Sequence, residues 1–292
     1  MASLFVNNLT VIDFSYLDSR RGIVGESWIV DLELIGALND EGMVFDFGHV
    51  KKAIKAEIDR GMDHRFVIPL HLPGLTIEED GERRRIALQH PEHGVLLDYR
   101  APQQAFYWLD ADRVNPSVAL ADLNQQVRSV VPDNVQEIRL TLRTEQHDQA
   151  FYHYSHGLKK HAGDCQRMVH GHRSRIQVEQ NGQRQPTAEK MIAERWRDIY
   201  LVTREDIIGE RRVLDTPCYD MAYTSAQGRF ELTLPAARCD VLETDTTVEL
   251  IASHLAAGLG ANEPDSHWRV RAFEGVDKGA LATHEPDSPQ TS

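Results

Sequence analysis

The hydrophobic pattern at the start of the chain alternates with a period of two and then changes to a helical period. Residues 4–17 and 28–35 alternate apolar and polar side chains, which predicts two consecutive β-strands. Val50, Ile54 and Ile58 then recur at i, i+4 and i+8 and give one apolar face to a helix. The opening of the chain therefore predicts two strands and a helix that packs on them.

The first half ends with a second helix and a further strand. The charged, loop-rich residues 71–104 predict an insertion between the two helices. Asn115 begins a helix whose apolar positions follow at helical spacing, and residues 137–143 alternate as a strand. This unit has the size of an ordinary domain.

The same order of elements then returns. The second set of predicted elements is strands at 151–154 and 175–178, a helix at 189–202, a strand at 229–234, a helix after the capping box that begins at Thr246, and a strand at 268–274. We therefore predict an internal duplication, with domains at 1–146 and 147–276. Residues 277–292 are rich in Pro, Ser, Asp and Thr and predict a disordered tail.

The motif His170-Gly171-His172 is the strongest chemical signal in the chain. Alternate residues of a strand share a face, so both imidazoles point the same way. A third histidine on a neighbouring strand would complete a three-nitrogen face, and three ligands with one open position are typical of catalytic zinc. The chain has 14 histidines, however, and a given histidine is usually a surface or satisfied core residue.

Composition excludes several classes of function. The formal net charge of −13 argues against a general nucleic-acid binder, although a local basic pocket could still hold an anionic substrate. No apolar run is long enough to cross a bilayer, and we see no signal peptide. The three cysteines are few and odd in number, which indicates free thiols in a reducing cytoplasm.

Two motifs resemble the 6-pyruvoyl-tetrahydropterin synthase and 6-carboxytetrahydropterin synthase family. The first is His156 after an aromatic strand, Cys165 in a loop, and His170-Gly171-His172. Four residues separate Cys165 from His170, one more than is usual in the bacterial carboxytetrahydropterin enzymes. The second motif is Asp46-Phe47-Gly48, a helix, and then Asp63-His64.

The resemblance implies a fold and an assembly. We expect an α+β protein of two tandem tunnelling-fold units, each an antiparallel four-stranded sheet with two helices packed on one face. Units of this fold close into β-barrel rings, so the chain is expected to be a homo-oligomer. Active sites in the family form between neighbouring units.

The two halves carry complementary parts of one site. In the first half Val24 and Glu26 stand where two metal ligands would be, and Gly25 corresponds to Gly171. The second half contains the histidines and Cys165 but has no Asp-His dipeptide. The resemblance therefore implies one composite site in each chain.

The resemblance also implies roles for these residues. His156, His170 and His172 would bind Zn²⁺, Cys165 would be the base, and Asp63 would orient His64 for proton transfer. Glu274 would anchor the pterin of 7,8-dihydroneopterin triphosphate, and Glu145 is the weaker candidate for that role.

Several outcomes remain open. The favoured reaction yields 6-carboxytetrahydropterin, acetaldehyde and triphosphate. Elimination of triphosphate without carbon–carbon cleavage, as in 6-pyruvoyl-tetrahydropterin synthase, is the first alternative. A non-catalytic pterin-binding paralogue is the second, and a structural zinc protein is disfavoured because only three histidines converge.

Overall fold

The computed structural model describes residues 2–37 and 47–286, and within them the order of elements repeats once. The elements of the first half are β1 (Ala2–Asp18), β2 (Gly22–Gly36), α1 (Phe47–Arg60), β3 (Phe66–Pro69), β4 (Thr76–Asp80), β5 (Arg83–His90), β6 (Val95–Pro102), β7 (Phe106–Leu109), α2 (Pro116–Arg128) and β8 (Val135–Arg143). Those of the second half are β9 (Phe151–His156), β10 (His170–Gln180), β11 (Gln183–Arg184), α3 (Pro186–Arg195), β12 (Ile199–Thr203), β13 (Ile207–Val213), β14 (Thr216–Ser225), β15 (Gly228–Pro235), β16 (Cys239–Leu242), α4 (Val248–Asn262), β17 (Trp268–Phe273) and β18 (Gly279–His284).

The strands form three sheets. The first has the order β7-β3-β1-β2-β8, and the second has the order β16-β12-β9-β10-β17-β18, with β11 paired to β10. The third sheet has the order β13-β14-β15-β6-β5-β4. It joins an insertion from each half through the antiparallel pair of β15 and β6, so the two halves share a sheet.

The prediction that each sheet has four strands, all antiparallel, is wrong. Each of the two principal sheets contains parallel pairs, β1 with β3 and β3 with β7 in the first, and β9 with β12 and β12 with β16 in the second. The extra strands β3 and β7 have four residues each, and β3 is buried at every position. A strand buried on both faces has no alternation for a sequence pattern to detect.

Two other boundaries differ from the prediction. The helix expected at 189–202 ends at Arg195, because Asp198 adopts a left-handed conformation with φ of 57° and Ile199 begins β12. The segment expected to be a disordered tail contains β18, which pairs antiparallel with β17. Residues 287–292 of that segment lie outside the described residues.

The helices cover the principal sheets, and this part of the prediction is confirmed. Ile54 and Ile58 of α1 pack with Leu123 of α2 in one apolar cluster with β1 and β2. The helices α3 and α4 pack in the same manner with strands of the second sheet. None of the helices in the described ranges combines the length and the hydropathy that a bilayer span requires.

Candidate active site

Three buried histidines converge at the start of β10. His156 ends β9 and pairs across the ladder with His170, while His172 lies two residues further along the same face. The ring centroids of His156 and His170 are 4.5 Å apart, and those of His156 and His172 are 5.5 Å apart. One ligand atom from each of the three lies within 4.8 Å of the others, and all three residues are at most 1% exposed.

Backbone groups orient two of these rings. Nδ1 of His156 lies 2.9 Å from the carbonyl oxygen of Thr246, and Nδ1 of His170 lies 3.1 Å from that of Arg167. A carbonyl only accepts, so each Nδ1 carries the proton and each Nε2 presents a lone pair. Among the described residues these buried Nε2 atoms have no hydrogen-bond partner, nor does Nε2 of His172. Unpaired imidazole nitrogens that converge at a buried site fit a divalent metal that prefers imidazole ligands.

The protonation state of the rings also suits a metal. Burial, together with repulsion between neighbouring imidazoles, lowers the pKa of His156 and of His170 well below the ordinary value of 6.5. Both rings are therefore neutral at neutral pH, and a metal ligand must be deprotonated to bind.

The Asp63-His64 pair reaches this triad from the first half. His64 adopts a left-handed backbone with φ of 53°, and its Nδ1 lies 2.8 Å from Oδ2 of Asp63. Its ring centroid is 5.4 Å from that of His170. The structure thus brings together the two motifs that lie about a hundred residues apart in the sequence.

Cys165 approaches His64 as well. It lies in a short 3₁₀ turn between β9 and β10 and is half-buried. Burial lowers the pKa of His64, but interactions with the Asp63 carboxylate and the Cys165 sulfur outweigh it and raise that pKa to about 10. The extra residue between Cys165 and His170 therefore does not carry the thiol away from the pair.

Glu274 directly follows β17 at the edge of the same region. Its carboxylate lies 3.9 Å from Nζ of Lys278. Burial raises the pKa of Tyr154, and the negative charge of Glu274 adds to this rise; the Tyr154 ring centroid is 5.2 Å from that of His172. Glu145 lies elsewhere, in an ion pair of 2.7 Å with Arg175. By strand register the position equivalent to Glu274 is Thr144, one residue before Glu145.

The first half has a different set of residues at the place of the histidines. Ser15 pairs with Gly25 as Ser155 pairs with Gly171, so Val24 and Glu26 occupy the positions of His170 and His172. The same register places Tyr16 at the position of His156. These three side chains do not offer a three-nitrogen face.

Sequence reasoning missed residues that support the triad. Asp13 lies with Oδ1 3.2 Å from Nδ1 of His172, although this contact lacks good hydrogen-bond geometry. Its signal is a carboxylate in the otherwise apolar run Ile12-Asp13-Phe14. Thr246 was expected to cap α4, but Thr247 accepts the bond from Leu250 and Thr246 contacts His156 instead. Asp46 lies outside the described residues.

Comparison with known proteins relates part of the chain to one family. Residues 13–78 match the family model of 6-pyruvoyl tetrahydropterin synthase. The matched range includes Asp63-His64, and the resemblance drawn from the motifs is confirmed. A Pyrococcus horikoshii protein named as a 6-carboxy-5,6,7,8-tetrahydropterin synthase is 33% identical over 91 residues, which are 30% of this chain. The chain spans about half the length of that relative, 52%.

Solved structures of the same description are also similar. A Plasmodium falciparum 6-pyruvoyl tetrahydropterin synthase is 16% identical with a TM-score of 0.40, and the match covers 48% of this chain and 90% of that one. A Plasmodium vivax 6-pyruvoyltetrahydropterin synthase is 17% identical with a TM-score of 0.35, and the match covers 49% and 97% of the two chains.

Proposed function

We propose that this protein is a zinc-dependent lyase that acts on 7,8-dihydroneopterin triphosphate. The favoured products are 6-carboxytetrahydropterin, acetaldehyde and triphosphate, and balancing the atoms requires one water. The observation that carries this proposal is the meeting of His64, from the first half, with Cys165 and His170, from the second. The match of residues 13–78 to the family model supports a pterin synthase-like activity.

The repeated order of elements supports an assignment of two tandem tunnelling-fold units. We place one unit at 1–146 and the other at 147–276, with a single composite site between them. In homo-oligomers of this fold, edge strands pair between chains, which also covers exposed sheet edges. We expect a cytoplasmic homo-oligomer that forms a β-barrel ring.

The histidine face would hold the metal. His156, His170 and His172 offer three neutral imidazoles and leave further coordination positions for a substrate. Bound zinc would supply Lewis-acid chemistry that polarises the hydroxyls of the pterin side chain. Because the three rings are buried, water has little access to them and the electrostatic effect of a bound cation is strong.

Cys165 and His64 would move protons. Sγ of Cys165 takes a proton from a side-chain carbon of the substrate. Nδ1 of His64 is held by Asp63, so Nε2 is the ring nitrogen that would exchange a proton with a substrate oxygen. The carboxylate of Asp63 also stabilises the protonated imidazole, as the raised pKa of His64 indicates.

Glu274 would position the pterin ring. A carboxylate can accept two parallel hydrogen bonds from the amino and ring N–H groups of a pterin. Its contact with Lys278 keeps the free carboxylate partly neutralised until the substrate binds.

Two alternatives use the same residues. Loss of triphosphate without carbon–carbon cleavage needs the metal, Cys165 and His64, and would yield 6-pyruvoyl-tetrahydropterin. A non-catalytic paralogue would bind the pterin through Glu274 and leave it unchanged. The approach of Cys165 to His64 favours catalysis over that second alternative.

Incubation of the zinc-loaded protein with 7,8-dihydroneopterin triphosphate tests the proposal. The pterin is analysed by mass spectrometry and acetaldehyde is assayed in the same sample. Carboxypterin together with acetaldehyde is the expected result. Pyruvoylpterin without acetaldehyde would retain the site and change the reaction, whereas bound but unchanged substrate would leave only the paralogue.

A further inference from the structure

Asp13 is a buried carboxylate of β1 that contacts a histidine of the other half. Its Oδ1 lies 3.2 Å from Nδ1 of His172, and its side chain is only 3% exposed. A charged group is costly to bury unless it is paired, so its position at the histidine face requires an explanation. Nothing in the motifs of the sequence assigns it a role.

A network of short contacts fixes the Asp13 carboxylate. Ser27 Oγ donates to Oδ1 at 2.6 Å, and Nζ of Lys278 lies 3.1 Å from Oδ2. Oγ of Ser27 in turn accepts a hydrogen bond of 3.1 Å from the backbone N–H of Arg173, the residue next to His172. Gly275 leaves the space that this carboxylate occupies, since a Cβ there would lie 2.4 Å from Oδ1.

The backbone of Asp13 holds the other motif. Its N–H donates to Oδ1 of Asp63 at 2.9 Å, and its carbonyl accepts from the N–H of His64 at 2.8 Å. Asp13 therefore connects the Asp63-His64 pair with the histidine triad.

We propose that Asp13 is a positioning residue with two roles. It orients His172 toward the metal, and its backbone holds the Asp63-His64 pair in place beside the metal site. The carboxylate favours the tautomer of His172 that is protonated at Nδ1, so that Nε2 keeps a lone pair for the metal. Through a charge contact of 3.2 Å rather than a hydrogen bond, it serves His172 as backbone carbonyls serve His156 and His170. Carboxylate partners of this kind raise the basicity of a ligand histidine.

This inference rests on the proposed metal site, and its test is zinc affinity, which does not depend on turnover. Zinc binding to the full chain is measured at neutral pH by competition with a chromogenic chelator, and the visible spectrum of the Co²⁺-substituted protein is recorded. In Asp13→Asn we expect zinc affinity to fall by about 10- to 100-fold and the Co²⁺ bands to shift. The thermal transition of the metal-free protein serves as the check that the fold is intact.

Two control variants distinguish a positioning role of Asp13 from a general effect of removing a negative charge. Asp31→Asn removes a carboxylate from the adjacent strand, where it pairs with Arg143 at 2.7 Å, and should leave zinc affinity unchanged. Glu33→Gln removes an exposed carboxylate from the same strand as Asp31, where it pairs with Arg139 at 3.3 Å, and should also leave zinc affinity unchanged. Equal loss of affinity in Asp13→Asn and Asp31→Asn would overturn the inference.

The remaining outcomes are also decisive. If the wild-type chain binds zinc and Asp13→Asn binds it equally well, Asp13 has no positioning role and the metal site stands. If the wild-type chain binds no zinc, the proposed function and this inference both fail. If Asp13→Asn does not fold, Ser27→Ala decides, because it releases Oδ1 while keeping the charge. A loss of about threefold or more in zinc affinity is then expected, and unchanged affinity would overturn the proposal.

Discussion

Gly25 and Gly171 face each other where the two halves of the chain meet. A Cβ on Gly171 would lie 2.7 Å from Cα of Gly25 and 2.4 Å from the carbonyl oxygen of Tyr154. Beside them Ser15 and Ser155, their cross-strand neighbours, share a hydrogen bond of 2.7 Å between hydroxyls. Equivalent residues of the two repeats thus meet directly, and the contact leaves no room for a side chain.

Gly171→Ala should therefore destabilise the protein and disturb the adjacent histidines. The inserted methyl group meets backbone atoms that cannot rotate away, so the cost should be roughly 3 kcal/mol. Chemical denaturation measures the loss, and chelator competition measures zinc affinity in the same variant.

Gly258→Ala is the matched control for that substitution. Gly258 lies in α4 and a Cβ there meets no other heavy atom within 4 Å. Alanine should stabilise the helix by about 0.5–1 kcal/mol because glycine loses more backbone entropy on folding. Equal effects at both positions would contradict the close contact between the repeats.

Arg21 gives the first half a cation near the position that corresponds to the histidine triad. The guanidinium pairs with Asp198 at 2.5 Å and donates to the hydroxyl of Tyr16 at 3.0 Å. By strand register Tyr16 is equivalent to His156, and Asp198 is equivalent to His64. His64 of the first half thus approaches the histidine triad of the second half, and Asp198 of the second half approaches the equivalent position in the first. Both residues have a left-handed backbone, but the position in the first half holds the Arg21–Asp198 ion pair instead of a triad.

Arg21→Ala should weaken the association of the two halves. Asp198 is 6% exposed and would lose its charged partner, which should cost about 1–3 kcal/mol of unfolding free energy. Arg204→Ala is the control, because Arg204 pairs with Glu243 and both side chains are well exposed. Its free energy of unfolding should differ from that of wild type by less than about 1 kcal/mol. Zinc affinity should be unchanged in both variants, and a large loss in Arg21→Ala would show that the two sites are coupled.

The local geometry of the site followed from the sequence. His170 and His172 share a face because strand side chains alternate, and His156 pairs with His170 because β9 immediately precedes β10 in an antiparallel ladder. The expected repeat was visible because strands with one exposed face and amphipathic helices both leave a periodic pattern.

The remaining features depend on contacts between distant residues. The third sheet forms because β6 of the first half pairs with β15 of the second half. The sequence of neither strand indicates which strand it pairs with. The role of Thr246 was missed for the same reason, since its contact with His156 spans ninety residues and its local pattern equally fits a cap. Sequence periodicity records burial, but it does not record which distant element causes that burial.

His64→Ala should reduce turnover and leave the metal in place. His64 would transfer protons rather than bind zinc, so kcat should fall by about 10²- to 10⁴-fold while zinc affinity changes by no more than a few-fold. His71→Ala is the control, because His71 contacts Asp110 at 2.6 Å in a similar pair that is exposed. If both variants keep full activity, the proton-transfer role of His64 is wrong.

Glu26→Gln should change how stability depends on pH. Burial raises the pKa of Glu26 from 4.5 to about 7, although the hydrogen bond from the Ser27 backbone N–H opposes this shift. Between these two pH values the unfolded chain has released the proton that the folded chain retains, so wild-type stability falls as pH rises. Above about pH 7 the penalty is constant, with an upper bound of roughly 3 kcal/mol.

The glutamine variant lacks this penalty, and it should be more stable than wild type at pH 8 but equal to it near pH 4. Urea denaturation across this range measures the difference. Glu33→Gln, on the same strand, should behave in the opposite way, because hydrogen bonds from Ser3 and Arg139 lower the pKa of that exposed carboxyl. Its removal should cost a little stability at pH 8 and nothing at low pH. A pH profile of Glu26→Gln that parallels that of wild type would mean that the pKa of Glu26 is the same in the folded and the unfolded chain, and would contradict the rise caused by burial.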